Sequence, residues 1–268
     1  MPRRTKIVAT LGPATDSVKI MDDLVAAGVD VVRLNLSHDT HQRHRERAEL
    51  IRDRASAGGR HVGVLMDLQG PKIRIGRFVE GAVELAQGDL FYLDADCPLD
   101  GGDCERVGTT YPDLAGDVAR GDTLLLDDGA IELWVDEVVG NGIRCKVVVG
   151  GKLSNNKGIN KKGGGLSAPA LTSKDMDDIR FAAEIEADYL AVSFVRNADD
   201  VRLAREIFQE VGGAGGIVAK IERAEALRGI DDIINAADAI MVARGDLGVE
   251  IGEAALPAVQ KQIVSRAR

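Results

Sequence analysis

One stretch constrains this chain more than any other: residues 216–252, GIVAKIERAEAL…IINAADAIMVARGDLGVEIG. Two short apolar runs, Ile217-Val218-Ala219 and Ala239-Ile240-Met241-Val242-Ala243, flank a helical pattern taking in 224–226 and 230–236. The order strand, helix, strand with continuous apolar runs is the signature of a right-handed βαβ unit in a buried parallel sheet. Side chains of a strand alternate between faces, so Lys220 and Glu222 share one face and Ile221 takes the other. Arg244 and Asp246 are expected to end the next strand, with Gly245 and Gly248 letting backbone come close to a ligand. Charged groups over an apolar floor at the carboxyl ends of strands are where a β/α barrel keeps its active site. A structural Lys–Glu ion pair beside a polar loop is the plainer alternative.

The same alternation opens the chain. Lys6 to Leu11 reads as a strand closed by Gly12-Pro13, Asp16 to Ala27 as a helix stopped by Gly28, and Val29 to Leu36 as a second strand. Arg33 and Asn35 share a face of that strand, and Ser37-His38 follow it. A charged helix over His41 to Ala57 leads to a third strand from Val62 to Asp67. After Thr172, whose spacing to Asp175 suggests a capping pair, the alternation resumes: a helix over Met176 to Ala187, a strand over Tyr189 to Phe194, a helix over Ala198 to Val211, then the two strands above. A last helix runs from Ala258 to Arg268.

Between Gly70 and about Thr172 the texture changes. Helical periodicity gives way to short alternating runs and turn pairs, with Asn141-Gly142 between Ile131–Val139 and Ile143–Val149 the strongest hairpin signal. The expected organisation is therefore α/β: an incomplete TIM (β/α)8-type barrel with an inserted all-β lid domain. Residues 1–69 form the first part of the barrel, 70–170 the lid, and 171–268 the second part of the barrel. The basic, glycine-rich stretch SNNKGINKKGGG (154–165) reads either as a flexible linker or as a phosphate-facing loop of the lid.

Charge narrows the partners. With 34 Lys and Arg against 43 Asp and Glu, the net charge of −9 argues against nucleic acid, and an anionic substrate needs a local basic cluster or metal ions. No apolar run approaches the roughly 18 residues of a membrane helix. The amino terminus, MPRRTKIVAT, is basic but passes straight into a strand-like run without a cleavage-type region. Cys97, Cys104 and Cys145 lack metal spacing and read as reduced thiols of a cytoplasmic protein, although Cys97 and Cys104 could pair.

The strand ends collect Arg33, Asn35, Ser37, Asp67, Ser193, Lys220, Glu222 and Asp246. Glu222 and Asp246 are hard oxygen donors suited to Mg²⁺, and Lys220 and Arg33 are the groups that meet phosphate. Carboxylates, ammonium and guanidinium around one space suit phosphoryl transfer, which rests on positioning and charge stabilisation.

The motifs TKIVATLGPAT, VVRLNLSH, MDLQGPKIRIG, LLLDDG, LSNNKGIN, VSF, KIERAEAL and MVARGDLGVE, in this order, resemble pyruvate kinase, and the DLQGPKIR form resembles one of its bacterial branches. The resemblance implies transfer of phosphoryl from phosphoenolpyruvate to ADP, giving pyruvate and ATP in glycolysis, by a cytoplasmic homo-oligomer. It implies Lys220 and Arg33 as catalytic residues, with Arg33, Ser193, Lys220, Gly245 and Asp246 contacting substrate. Asn35, His38, Arg74 and Lys157 would meet the nucleotide. Glu222 and Asp246 would hold Mg²⁺ (or Mn²⁺); Asn35, Ser37, Asp67 and the Leu68 carbonyl match a potassium site; Asp128 belongs to the lid.

Two departures stand out. Many members of the family carry glutamate where this chain has Lys72, whose ammonium is expected to substitute for potassium and make K⁺ dispensable. The family's barrel also has two further strands, a threonine-bearing loop and a C-terminal domain beyond the point matched by Arg268. A chain without them is expected to bind Mg²⁺ and phosphate ligands weakly, to turn over little, and to self-associate through its edge strands. Two rival readings share part of the set: a metal-dependent aldolase or lyase acting on an enolate, and a truncated, non-catalytic binding protein.

Overall fold

The computed structural model describes residues 4–268; residues 1–3, the start of the basic amino-terminal stretch, lie outside the described residues. The chain begins with β1 (Val8–Leu11), α1 (Val18–Ala27), β2 (Val31–Asn35), α2 (His41–Ala57) and β3 (Gly63–Asp67). It then runs through β4 (Ala82–Leu85), β5 (Leu90–Asp94), β6 (Arg106–Val107), the one-turn α3 (Leu114–Asp117), β7 (Thr123–Leu126), β8 (Ile131–Val139), β9 (Gly142–Val149), β10 (Gly151–Ser154) and β11 (Ile159–Lys161). The βα alternation returns with α4 (Ser173–Glu184), β12 (Tyr189–Val192), α5 (Ala198–Glu210), β13 (Gly216–Ile221), α6 (Ile230–Ala236), β14 (Ala239–Val242), α7 (Arg244–Ile251) and α8 (Leu256–Ala267).

The helices begin where the sequence supplies an oxygen for their free amides. Ser17 accepts from the Ile20 N–H, Thr40 from Arg43, and Asn197 from Asp199 and Asp200. Thr172 and Asp175 close a full capping box at α4. Gly28, at φ +97°, ends α1 in the left-handed conformation that glycine adopts without strain.

Six parallel strands form one curled sheet in the order β1-β2-β3-β12-β13-β14, a partial barrel. The out-facing residues Val32, Leu34, Val64, Met66, Leu190, Ile217 and Ala219 pack under the helices with Met21, Val25, Ile51, Ile179 and Phe208. The concave face is graded. Near the amino ends it buries Leu65, Ala191 and Val218 with Val31, Tyr189 and Met241 against them, and near the carboxyl ends it presents Arg33, Asp67 and Lys220. The two edges among the described residues are β1, where Val8 is 51 % exposed, and β14.

The strands between β3 and β12 are a structure of another kind. β11-β7-β8-β9-β5-β6 form a second, mainly antiparallel sheet, β10 pairs with β4, and Phe91, Leu93, Leu124, Leu126, Leu133, Val135 and Ile143 fill a separate core. The β8–β9 hairpin forms where the sequence signals it, turning through Gly140-Asn141 with Val139 paired to Gly142.

One expectation is corrected and one open alternative is settled. Arg244 and Asp246 do not end a strand: β14 stops at Val242, and both residues lie in the first turn of α7. Residues 154–165 are not a flexible linker, because they end β10 and contain all of β11. Cys97, Cys104 and Cys145 are all free, in keeping with the reading of reduced thiols. Among the described residues no helix is long and apolar enough to cross a membrane.

Candidate active site

The carboxyl rim of the concave face gathers an ion cluster around Lys220. β13 ends at Ile221, and Lys220 and Glu222 on either side of that residue turn their side chains to the same side, as alternation requires. The Lys220 ammonium donates to Ser193 Oγ at 2.6 Å and lies 3.1 Å from both Asp67 Oδ1 and Glu222 Oε1. Arg33, on the neighbouring strand β2, donates from Nε to Asp67 Oδ2 at 2.6 Å and from Nη1 to Thr10 Oγ1 at 3.1 Å. Asp67 and Glu222 are both nearly sealed from solvent, at 1 % and 3 % exposure. Burial opposes the charge on Lys220, but Glu222 and Asp67 outweigh it and raise its pKa, so the ammonium stays protonated. Burial pushes the Glu222 carboxyl up, against the pull of Lys220 and of the Phe194 N–H, and the charge of Asp246 adds to the rise.

A strained turn holds this cluster in place. Phe194 has φ +54°, rare for a residue with a side chain, and its N–H meets Glu222 Oε2 at 2.7 Å. Ser193 Oγ donates in turn to the Leu68 carbonyl at 2.7 Å. Gly70 makes the close packing possible: it has φ +65°, and a Cβ there would come within 2.9 Å of Phe194 Cδ2 and Ser193 Cβ. The Gly70 N–H is fixed by buried Asp175, whose Oδ1 accepts it at 3.0 Å.

Other candidates meet in smaller groups. Lys72 Nζ lies 3.1 Å from Asp246 Oδ1, and among the described residues no hydrogen bond or ion pair joins it to Asn35, Ser37, Asp67 or Leu68. Asn35 Oδ1 accepts the Ser37 N–H at 3.1 Å, and the His38 carbonyl accepts from His44 Nε2. In the antiparallel part Arg74 donates to the Asn156 carbonyl at 2.9 Å and Lys157 pairs with Asp127 at 2.7 Å, next to Asp128 at φ +55°. Gly245 borders open space: a Cβ there would meet nothing within 4 Å. Lys72 and Asp246 line a cleft between the two parts, together with Asn160, Phe194, Arg223 and Glu250. Among the described residues no three or more His, Cys, Asp or Glu side chains are grouped to hold a metal ion.

Residues 2–268 match the family model described as "Pyruvate kinase, barrel domain". The chain belongs to the pyruvate kinase family. It is 55 % identical over 269 residues to "Pyruvate kinase II" of Salmonella typhimurium strain LT2, 53 % identical to "Pyruvate kinase" of Haemophilus influenzae, and 49 % identical to "Pyruvate kinase" of Mycobacterium intracellulare. These matches take in 99 %, 99 % and 100 % of this chain and 56 % of each relative. The chain thus spans about half the length of the curated relatives it matches.

In this family member the residues that orient others carry little signal in the sequence. Phe194 looked like the end of an apolar strand, and no sequence signal announces its positive φ. Gly70 was legible as a turn residue in LQGP, but not as a contact with a strand more than a hundred residues away. Asp175 is half of a cap, as its spacing from Thr172 indicates, and its second oxygen holds Gly70, which no local pattern announces. Asn160 lies in a glycine-rich tract and Glu250 in a helix, and neither sequence context signals their contact.

Proposed function

We propose that this chain carries the phosphoryl-transfer site of a pyruvate kinase, moving phosphoryl from phosphoenolpyruvate to ADP in cytoplasmic glycolysis. The observation that supports this most is the buried Lys220 ammonium, held charged on the concave face between Asp67 and Glu222 and flanked by Arg33. In this reading the P–O bond to the enolate breaks as a bond to the terminal ADP oxygen forms. Lys220 and Arg33 stabilise the charge on the phosphoryl group between them. Ser193 orients Lys220, and the first turn of α7 offers the Gly245 and Asp246 backbone to the substrate carboxylate. Asn35, His38, Arg74 and Lys157 receive the nucleotide, the last two brought in by a lid comprising 70–170, with Asp128 at its turn, that closes on a barrel comprising 1–69 and 171–268 and excludes water.

The donor set fits a divalent ion. Glu222 and Asp246 are oxygen ligands of the kind Mg²⁺ or Mn²⁺ prefers, their charges oppose each other, and among the described residues Lys72 pairs with Asp246 and Lys220 with Glu222. When bound, such an ion neutralises substrate oxygens during the transfer. The neighbouring set of Asn35, Ser37, Asp67 and the Leu68 carbonyl is proposed as a monovalent-cation set, with Asp67 Oδ1 lying 3.1 Å from the Lys220 ammonium. Lys72 supplies a fixed positive charge on the Asp246 side of the site, and we propose that this charge makes K⁺ dispensable. The assembled enzyme is proposed to be a homo-oligomer.

The decisive measurement is pyruvate formation from phosphoenolpyruvate, with and without ADP, followed by a coupled assay. In an active preparation any turnover is expected to require ADP and Mg²⁺; pyruvate or aldehyde release independent of ADP would instead indicate a lyase. A potassium titration at constant ionic strength, run beside Lys72→Glu, is expected to be flat for the unmodified protein and steep for the variant. Equal potassium dependence in both would remove Lys72 from the role.

A further inference from the structure

Glu250 stands near the end of α7, is 5 % exposed, and has no part in the transfer described above. Three elements converge on it. Its Oε2 accepts the Ala224 N–H at 2.8 Å, two residues past Glu222. Its Oε1 accepts the side-chain amide of Asn160, on β11, at 3.3 Å, and its carbonyl accepts the Gly163 N–H at 3.0 Å. The neighbouring Val249 lies against Gly129, where a Cβ would meet its methyl group at 3.9 Å. Arg223 and Glu225 are the charged groups that face it from the turn after β13.

The placement has a mechanical meaning. Asp246 and Glu250 are four residues apart in one helix, hence one turn apart on the same face. The rod that holds Asp246 at one end is therefore gripped at the other by the turn that follows Glu222 and by a strand of the antiparallel part. Asn160 is, with Thr109, one of two buried polar side chains in residues 70–170, and it points at this carboxyl. A carboxyl withdrawn from water is tolerated only where its oxygens are bonded, so each partner depends on the others being present.

We propose that Glu250 is a positioning residue that sets the spacing of Glu222 and Asp246 according to whether β11 is docked on the parallel part. This deepens the reading above and rests on it for the role of the two carboxylates as a metal pair. Docking of β11 through Asn160 steadies Glu250, which fixes the Ala224 turn and the α7 rod together. Release of β11 loosens both carboxylates at once, and the site is assembled only when the antiparallel part is seated.

The test uses backbone hydrogen exchange on the chain and on Asn160→Ala, Glu250→Ala and Glu250→Gln. Asn160→Ala, made wholly within the antiparallel part, is expected to speed exchange of 222–226 and 244–250 by about tenfold or more, with α2 unchanged. Glu250→Ala is expected to do the same and to release 159–165 as well. Glu250→Gln keeps an oxygen to accept the Ala224 N–H and gives an N–H to the Asn160 oxygen once the Asn160 amide turns over, and is expected to stay within about threefold of the unmodified chain. Effects of Asn160→Ala confined to 70–170, or a Glu250→Ala effect that also reaches α2, would overturn the proposal. Mn²⁺ titration by calorimetry gives the second readout: the Kd is expected to rise about tenfold, equivalent to 1.4 kcal/mol, in both alanine variants and not in Glu250→Gln. Mn²⁺ affinity that is unchanged in the alanine variants would sink the positioning role. No Mn²⁺ binding by the unmodified chain would defeat the metal-pair reading itself, and the exchange results would still decide whether Glu250 couples the two parts.

Discussion

The parallel and antiparallel parts of this chain bury side chains on opposite principles. In residues 70–170 the buried side chains are apolar apart from Thr109 and Asn160. The parallel part seals away His44, Arg47, Asp67, Asp175, Asp178, Asp200, Lys220, Glu222, Arg223 and Glu250. Two sheets of six strands in one chain thus face the same solvent with different interiors. Burying charge is expensive and adds little net stability even when the ions are paired. Arg47, Asp178 and Asp200 meet their partners on or beside the helices α2, α4 and α5, whereas Asp67, Lys220 and Glu222 place that cost on the concave face, where it suits chemistry, and the region with an apolar core is organised to keep its shape. The gradient on the concave face, Leu65 and Val218 below and Asp67 and Lys220 above, puts both principles within single strands.

The sharpest way to break this contrast is to remove the charge at its centre. Lys220→Met keeps the length of the side chain and loses the ammonium. In an active preparation kcat is expected to fall by about 10³-fold or more, with a much smaller change in phosphoenolpyruvate affinity, because the contact strengthens as charge develops on the phosphoryl group. A coupled assay of pyruvate formation measures it. An unchanged kcat would mean that the buried ion cluster is structural.

The second prediction tests the other side. Leu133, fully buried on β8, packs in the antiparallel core, and Leu133→Ala is expected to cost about 2–5 kcal/mol there. The chain has one tryptophan, Trp134, on the same strand, so its fluorescence reports that region alone. The urea midpoint by fluorescence is expected to fall well before the helical signal by circular dichroism, which arises largely from the parallel part. A single transition shifted equally for both probes would show that the two cores unfold as one unit.

How much of this was legible in the sequence follows the same division. Continuous apolar runs and capping residues are local signals, so the βα order, α2 and the Thr172–Asp175 cap could be read directly. Lys220 and Glu222 could be read because alternation along a strand is a rule of geometry. Asp246 was mistaken for a strand-end residue because Met241-Val242-Ala243 carries no stop before Arg244, and the helix that begins there has no side-chain cap. Contacts between distant segments left no trace in the sequence: Gly70 against Phe194, Asn160 against Glu250, and Lys72 against Asp246 each depend on how the two parts meet.

The junction itself gives the smallest expected effect, and it bears on which principle governs there. Burial pushes the Glu250 carboxyl up to about 7, opposed by the Ala224 N–H and reinforced by Glu225. The unfolded chain releases this proton near the ordinary value of 4.5, so between pH 4.5 and about 7 the folded chain holds a proton that the unfolded chain has lost. Stability contributed by Glu250 is therefore complete at low pH and declines as pH rises through that window. Glu250→Gln cannot ionise and escapes the decline. Chemical denaturation at pH 5 and pH 8 is expected to show the glutamine variant gaining about 1–3 kcal/mol over the unmodified chain across that interval. The two stability curves should run together near pH 4.5 and separate above it. Curves that stay parallel would mean that water reaches this carboxyl in solution, and the seam between the two parts would then follow neither an apolar nor a buried-charge principle. Curves that diverge would place the seam with the parallel part, as one more buried ionisable group whose cost is accepted for where it stands.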